Sequence, residues 1–197
     1  ATPEAPAPAA PAPAEVGATV TDTAASGSTA TYTVTDKSTG AGDTGEVAYA
    51  GEASDSKATS VVIPDTITGA DGVVYEVTKI ADNALKNNKT VKSVTVGNNI
   101  IEIGSGAFQN AKSLTKIDLG NNVTTIGKNA LKGAKKLKDI KVNGNKLKKV
   151  GKGAFNGIKK NAKITIKAKD KKTYNKVVKM IKKSGAKKVK YKFKKKK

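Results

Sequence analysis

The chain has 197 residues, which is enough for one domain with a tail. It contains no cysteine, histidine, tryptophan or arginine, so disulfides, thiol nucleophiles, imidazole bases and the usual zinc ligands are excluded. All 37 basic residues are therefore lysine, and the formal net charge is +21. We expect no catalytic residues, no metal site and no cofactor.

The charge is divided unevenly along the chain. Up to Glu76 the sequence carries 11 acids and 2 lysines, whereas from Val77 onward it carries 5 acids and 35 lysines, a net charge of +30. Such a basic body attracts polyanions through its summed field. No stretch reaches the ~20 consecutive apolar residues of a membrane span, and no signal-peptide core precedes Ala1, so we expect a soluble chain.

Residues 1–15 are predicted to form a flexible spacer. Five of the six prolines lie within this segment and alternate mainly with alanine, a composition that favours extended polyproline II and buries no core. Spacers of this kind often follow a cleaved secretion signal on cell-surface proteins. The segment therefore favours export, and a tail without function is the alternative.

Residues 16–76 are predicted to form an N-terminal β cap and a first coil. The stretches 31–35 and 46–49 alternate in polarity around a turn-forming segment at 38–43, which is typical of a β-hairpin. A further strand is expected at 60–63, where Pro64 and Asp65 end it.

Residues 77–168 contain an internal repeat with a period of 23 or 24 residues. Each unit carries one apolar stripe that is too small to be buried alone, so the units are expected to stack into a solenoid with a continuous core. Three of the recurring columns are Ile80, Ile103, Ile126 and Val150; Leu85, Phe108, Leu131 and Phe155; and Val94, Ile117, Ile140 and Ile164.

Each unit is predicted to hold one strand and one turn on opposite sides. The pattern Leu114-x-x-Ile117-x-Leu119 predicts a short strand with alternate residues inward. Residues 104–110 are expected to form a helical or 3₁₀ turn. The pairs Gly104-x-Gly106 and Gly151-x-Gly153 are assigned to turn geometry and not to phosphate binding, because the Lys-Ser or Lys-Thr of a phosphate loop is missing.

Residues 169–197 are predicted to form a basic C-terminal helix–strand cap and a lysine tail. One apolar helical face is followed by Gly185 and then by a strand that alternates with lysine. The helical face consists of Tyr174, Val177, Val178 and Ile181, and the strand consists of Val189, Tyr191 and Phe193 between lysines.

The motif Ile-Gly-x-x-Ala-Phe, seen at 103–108 and with Val first at 150–155, resembles the BspA-like, treponemal-type leucine-rich repeat. The resemblance covers roughly residues 58–168. It implies an α+β leucine-rich-repeat solenoid of stacked 23–24-residue coils, with an N-terminal β-hairpin cap and a C-terminal helix–strand cap. It also implies an exported adhesive protein without catalytic residues. Where family members often have a cysteine, this chain has Asn88, Ala111, Ala134 and Ile158.

The outward side of the repeat strands is the predicted binding surface. In parallel neighbours Lys116 lies beside Asp139 and Asp118 beside Lys141, a checkerboard of opposite charge. A neighbouring lysine favours the ionised carboxylate, whereas a general acid must keep its proton, so ion pairing or a protein contact is favoured over a carboxylate dyad. The predicted binding residues are Lys116, Asp118, Asp139, Lys141, Lys163 and Thr165.

A second column of lysines recurs with the repeat. It is interpreted either as a solvated face or as a polyanion site, and sequence-specific DNA binding is disfavoured because arginine is absent. These residues, called the lysine ladder below, are Lys89, Lys112, Lys135, Lys136, Lys159 and Lys160.

The predicted function is that of a secreted or cell-surface bacterial binding module that mediates adhesion or protein–protein interaction. Its partner is expected to be a protein or glycan on a host or bacterial surface, and the chain is expected to be a monomer. The alternative is a polyanion-tethering module that holds cell-wall polymer, acidic glycan or, non-specifically, nucleic acid.

Overall fold

The computed structural model describes residues 12–23, 29–37, 44–52 and 56–195. The predicted turn at 38–43, residues 1–11 of the predicted spacer and the last two residues of the lysine tail lie outside the described residues. The elements are β1 (Thr19–Thr23), β2 (Thr29–Asp36), β3 (Gly45–Glu52), β4 (Ser60–Ile63), β5 (Thr66–Thr68), β6 (Val74–Ile80), β7 (Ser93–Val96), β8 (Glu102–Ile103), β9 (Lys116–Asp118), β10 (Thr125–Ile126), β11 (Asp139–Asn143), β12 (Lys149–Val150), β13 (Lys163–Ala168), α1 (Lys171–Lys183) and β14 (Lys190–Lys195).

The predicted repeat strands form one side of a solenoid. Within the described residues they build a sheet, called the second sheet below, in the order β14-β13-β11-β9-β7-β4, and every pair is parallel. Ile140 and Val142 of β11 are buried, whereas Lys141 between them is exposed, as period-2 alternation requires. The inward and outward positions predicted for these strands are confirmed.

Each coil carries a second strand that the sequence analysis missed. The short strands β8, β10 and β12 follow β6 in a parallel series, and β3, β2 and β1 continue this first sheet toward the N-terminus. Ile80 pairs with Ile103 and Ile126 with Val150, so the first apolar column of the repeat is the inward column of this sheet. The coils are therefore closed by sheets on two sides.

The turn predicted at 104–110 is present, but it does not continue as a helix. The N–H groups of Gly106, Phe108 and Asn110 donate to carbonyls of the next coil at 2.7 to 2.9 Å, whereas the N–H groups of Ala107 and Gln109 between them donate to the carbonyls three residues earlier. Every second donor from Gly106 to Asn110 thus links coil to coil, so no continuous helical series forms. Two left-handed positions per coil allow this path, and asparagine or glycine occupies them: Asn83, Gly106, Asn129 and Gly153 in one column, and Asn87, Asn110, Gly133 and Gly157 in the other.

The glycine of the Ile-Gly motif is required by close approach between coils. A Cβ at Gly127 would lie 2.6 Å from the carbonyl carbon of Gly104, and a Cβ at Gly151 would lie 2.6 Å from that of Gly127. Backbone therefore packs directly on backbone along this column. The assignment of Gly106 and Gly153 to turn geometry is confirmed, because both have positive φ.

The predicted N-terminal hairpin is present as antiparallel β2 and β3. Tyr32 and Tyr49 lie across this pair with their rings edge to face at 5.7 Å, and both side chains are buried. Because β3 pairs in parallel with β6, the hairpin joins the first sheet directly.

The C-terminal segment forms the predicted helix and strand. Asp170 caps α1 by accepting a hydrogen bond from the Thr173 N–H, and Val177 and Ile181 are buried against the end of the core. Strand β14 then pairs in parallel with β13, with Lys190 beside Lys163. The last strand thus extends the second sheet by one more coil, a register that the sequence pattern did not predict.

The last residues of the predicted spacer are docked onto the protein body. The Ala14 N–H lies 2.9 Å from Asp71 Oδ2 and 3.0 Å from Tyr75 Oη, and Tyr75 Oη donates to the same carboxylate at 2.6 Å. Burial alone would raise the pKa of Asp71, but the hydrogen bonds from Tyr75, Val73 and Ala14 outweigh it and lower this pKa below its usual value. The ordered body therefore begins before Val16.

We expect Asp71→Ala to release the segment around Ala14 without unfolding the repeats. In the wild type the same release is expected in acid. Because the pKa of Asp71 is lowered in the folded state, ionised Asp71 stabilises the contact fully at pH values above its unfolded pKa of about 3.9. This stabilisation is lost as the pH falls through the folded pKa. The measurement is amide exchange of Ala14 by NMR at neutral pH. Asp36→Ala is the control, because among the described residues Asp36 Oδ1 accepts only from the neighbouring Lys37 N–H. Equal protection of Ala14 in both variants would contradict the assignment.

Candidate functional site

The outward columns of the second sheet lie in the register that the repeat predicts. One column runs through Ser93, Lys116, Asp139 and Lys163, and the next runs through Thr95, Asp118, Lys141 and Thr165. The parallel pairing holds each residue beside its counterpart in the neighbouring coil. This outward side is called the strand face below.

Two ion pairs cross the strand face between neighbouring coils. Lys141 Nζ lies 3.2 Å from Asp118 Oδ2, as the checkerboard predicts. Asp139 Oδ1 lies 3.3 Å from Lys163 Nζ, so its ion pair is made with the following coil and not with Lys116. Register alone places Asp139 between two lysines, and side-chain conformation decides which of them it pairs with.

A shallow depression of about 290 Å³ lies between these ion pairs. Its floor is β11 at Ile140, and the predicted binding residues surround it. The structure thus brings five of the six together around one depression, while Asp118 contacts it through Lys141. The lining residues are Lys116, Asp139, Ile140, Lys141, Lys163 and Thr165.

Charge increases along the strand face toward the C-terminus. At the β4 end the columns hold Ser60, whose Oγ lies 2.9 Å from that of Ser93, and the exposed Val62. At the other end β14 adds Lys190 beside Lys163 and Lys192 beside Thr165. The alternating lysines of the last strand were visible in the sequence, but their place in these columns was not.

The lysine ladder lies on a different part of the surface. Its four recurring members each come four residues before a strand of the second sheet, at the corner where a coil turns into that strand. All six ladder side chains are exposed. Binding of a polyanion to this ladder stays a prediction.

The strand face offers charged groups and hydroxyl groups, which are suited to ion pairing and hydrogen bonding. Within the described ranges, no three aspartates or glutamates are grouped so that they could hold a metal ion. Over the same ranges, no helix is both long enough and apolar enough to cross a membrane.

The stacked parallel coils with polar outward columns define a leucine-rich-repeat protein. A family model for the BspA type leucine rich repeat region matches residues 54–183 with six copies. The chain belongs to this family, and the match extends on both sides of the segment in which the repeat motif is evident. None of the curated proteins matches the chain significantly.

Solved structures of bacterial proteins share this fold, and the first two named here are leucine-rich-repeat proteins. One from Bacteroides ovatus is 29% identical with a TM-score of 0.58, and the alignment covers 70% of this chain and 33% of that protein. One from Bacteroides capillosus is 24% identical with a TM-score of 0.51, covering 71% and 87%. The pneumococcal vaccine antigen PcpA is 20% identical with a TM-score of 0.51, covering 78% and 45%. The chain thus spans less than half of two of these three proteins.

Proposed function

We propose that this chain is a bacterial surface or secreted binding module that holds a protein partner on its strand face. The observation that carries the proposal is the set of in-register charges around the depression on β11. The parallel register positions these side chains at fixed spacing, which suits recognition of a partner with complementary charge.

The charges of the strand face contribute little to folding. The side chains of Asp118 and Lys141 are 32% and 50% exposed, and exposed ion pairs contribute only about 0.2–1 kcal/mol. Lys116 makes no ion pair with any described acid. A partner that brings its own acidic groups would complete this arrangement.

The domain assignment belongs to the same proposal. Residues 16–76 act as the N-terminal β cap and first coil, residues 77–168 are the repeats, and residues 169–197 are the C-terminal cap. Buried Tyr32 and Tyr49 at one end and Val177 and Ile181 at the other support these roles, since a solenoid must cover both ends of its core. With both ends of its core covered, the chain is a monomer that adheres to a protein on a host or bacterial surface.

We expect Lys116→Glu combined with Lys141→Glu to weaken binding to the partner about tenfold or more, as charge reversal at a recognition surface does. The measurement is surface plasmon resonance against a panel of immobilised extracellular-matrix proteins and purified bacterial surface proteins. The proposal predicts saturable binding to one of them that partly survives physiological salt.

The matched control replaces Lys112, Lys135, Lys136 and Lys159 of the lysine ladder with Gln. If the protein tethers polyanions instead, this control variant should lose binding to heparin and teichoic acid, with a reduced salt dependence. Loss in the control together with unchanged binding after the strand-face substitutions would overturn the proposal in favour of the polyanion alternative. Binding of wild type to neither panel would contradict both.

A further inference from the structure

The open edge of β14 is a surface separate from the centre of the strand face. Among the described strands, β14 pairs only with β13 and ends the second sheet. The Lys190 N–H donates to the Ala162 carbonyl in the direction of β13 at 2.8 Å. Because backbone groups alternate along a strand, the N–H and C=O groups of Tyr191 and Phe193 point to the open side.

The outward columns show which charges a further strand would need. Where β9 meets β11, Asp118 faces Lys141, and where β11 meets β13, Asp139 faces Lys163. The next strand, β14, places Lys190 and Lys192 in these same two columns, and no described acid lies within ion-pair distance of either. Acidic side chains at alternate positions of an added strand would continue the pattern.

The inward side of β14 offers apolar contact to the same strand. Tyr191 and Phe193 are half-buried, and Phe193 packs edge to face on Tyr174 at 5.2 Å. The ammonium groups of Lys171 and Lys182 lie over the Phe193 and Tyr191 rings, at 5.0 and 5.8 Å from the ring centroids. Lysine side chains thus lie over both rings, and each half-buried residue keeps part of its surface exposed. An added strand can pack its apolar side chains against that exposed part.

We propose that the β14 edge binds an acidic, extended protein segment by strand addition, with alternating acidic and apolar residues. The acidic residues lie beside Lys190, Lys192 and Lys194, and the apolar residues pack toward Tyr191 and Phe193. Main-chain hydrogen bonds supply affinity, and the alternating side chains supply specificity. This site does not depend on the partner of the strand face.

Other occupants fit the edge less well. The β4 edge of a second copy would place neutral Ser60 and Val62 in the two lysine columns. An acidic glycan or phosphate polymer would match the lysines but would leave the outward N–H and C=O groups of Tyr191 and Phe193 without main-chain partners. Lysines on an edge strand also discourage aggregation. If that were the role of the β14 lysines, no peptide would bind.

The test measures binding of a peptide probe to the full chain by fluorescence anisotropy. The probe is a seven-residue peptide of alternating Glu and Val, labelled with fluorescein, acetylated and amidated. The probe should bind saturably and about tenfold or more tightly than a peptide of the same composition with its Glu and Val residues in separate blocks. N-methylation of the Glu amides blocks parallel addition, and N-methylation of the Val amides blocks antiparallel addition. One set should abolish binding while the other leaves it within about twofold.

Lys190→Glu combined with Lys192→Glu should weaken binding of this probe at least about tenfold and should create binding of the matching Lys-Val peptide. The charge-matched control is Lys172→Glu with Lys179→Glu on exposed positions of α1, which should leave binding within about twofold. Circular dichroism checks that both variants fold.

Three outcomes would overturn the proposal. If the probe did not bind, the β14 lysines would serve only to protect a sheet edge from aggregation. Equal loss in the control variant, or equal binding of the blocked-sequence peptide, would show attraction by net charge alone. Equal effects of both N-methylated sets would exclude strand addition. Substitution of Lys116 and Lys141 should not change probe binding, so failure here is distinguishable from failure of the proposed function.

Discussion

Phe108→Ala is expected to lower the free energy of unfolding by about 3–5 kcal/mol. The Phe108 side chain has 0% exposure and lies in the stacked column with Leu131 and Phe155. Its backbone N–H is bonded to the Ala130 carbonyl of the next coil, so the backbone holds its position and cannot collapse fully into the cavity. Urea denaturation followed by circular dichroism measures the loss.

Lys112→Ala is the matched control for this prediction. Lys112 is four residues further along the same coil, but its side chain is exposed. We expect a change within about 0.5 kcal/mol, because surface substitutions away from special features rarely do more. Equally mild effects of the two substitutions would mean that the inside and the outside of the coil are assigned wrongly.

The inside and outside of the second sheet could be predicted because burial leaves a direct mark on the sequence. Ile117, Ile140 and Ile164 are apolar at a fixed period since each fills the same place in a stacked coil. The residues between them are polar because the pleat turns them to solvent. The composition of the strand face followed from this alternation.

The second strand of each coil could not be found in the same way. Strands β8, β10 and β12 are two residues long, so each contributes at most one buried position and no alternation. Their pairing depends on hydrogen bonds between coils, which a pattern within one coil does not contain. The asparagine and glycine columns at 83, 106, 129 and 153 were a visible signal of a left-handed path, and they argue against a helix there.

The position of β14 was hidden by a change of period. Corresponding residues of neighbouring coils are 23 apart at Lys141 and Asp118, but Lys190 follows its partner Lys163 by 27. Helix α1 takes up the additional length, and a fixed-period search therefore loses the register at the last coil. The choice of Lys163 over Lys116 as partner of Asp139 is decided by side-chain conformation, which no repeat pattern encodes.

A chain that ends at Lys169, without α1 and β14, is expected to aggregate or to bind a hydrophobic dye. The truncation leaves β13 whole but removes Val177 and Ile181, both fully buried. Each such side chain stabilises the fold by about 1.5–3 kcal/mol. It also uncovers the edge of β13, whose inward Ile164 and Ile166 are buried in the intact chain. Dye fluorescence and sedimentation velocity measure the two effects.

A chain that ends at Phe193 is the control for this truncation, because it loses only the exposed end of β14 and the residues beyond it. It should remain monomeric and silent toward the dye. The substitution Val177→Asp in the full chain tests the same contact with a single buried charge, and it should also raise dye binding because an unpaired carboxylate opposes packing of α1 on the core. If the chain ending at Lys169 stayed monomeric and dye-silent with the far-ultraviolet spectrum of its repeats intact, α1 and β14 would not be a cap. The coils would then be stable with an open end, and the strand β14 would have to be retained for binding alone.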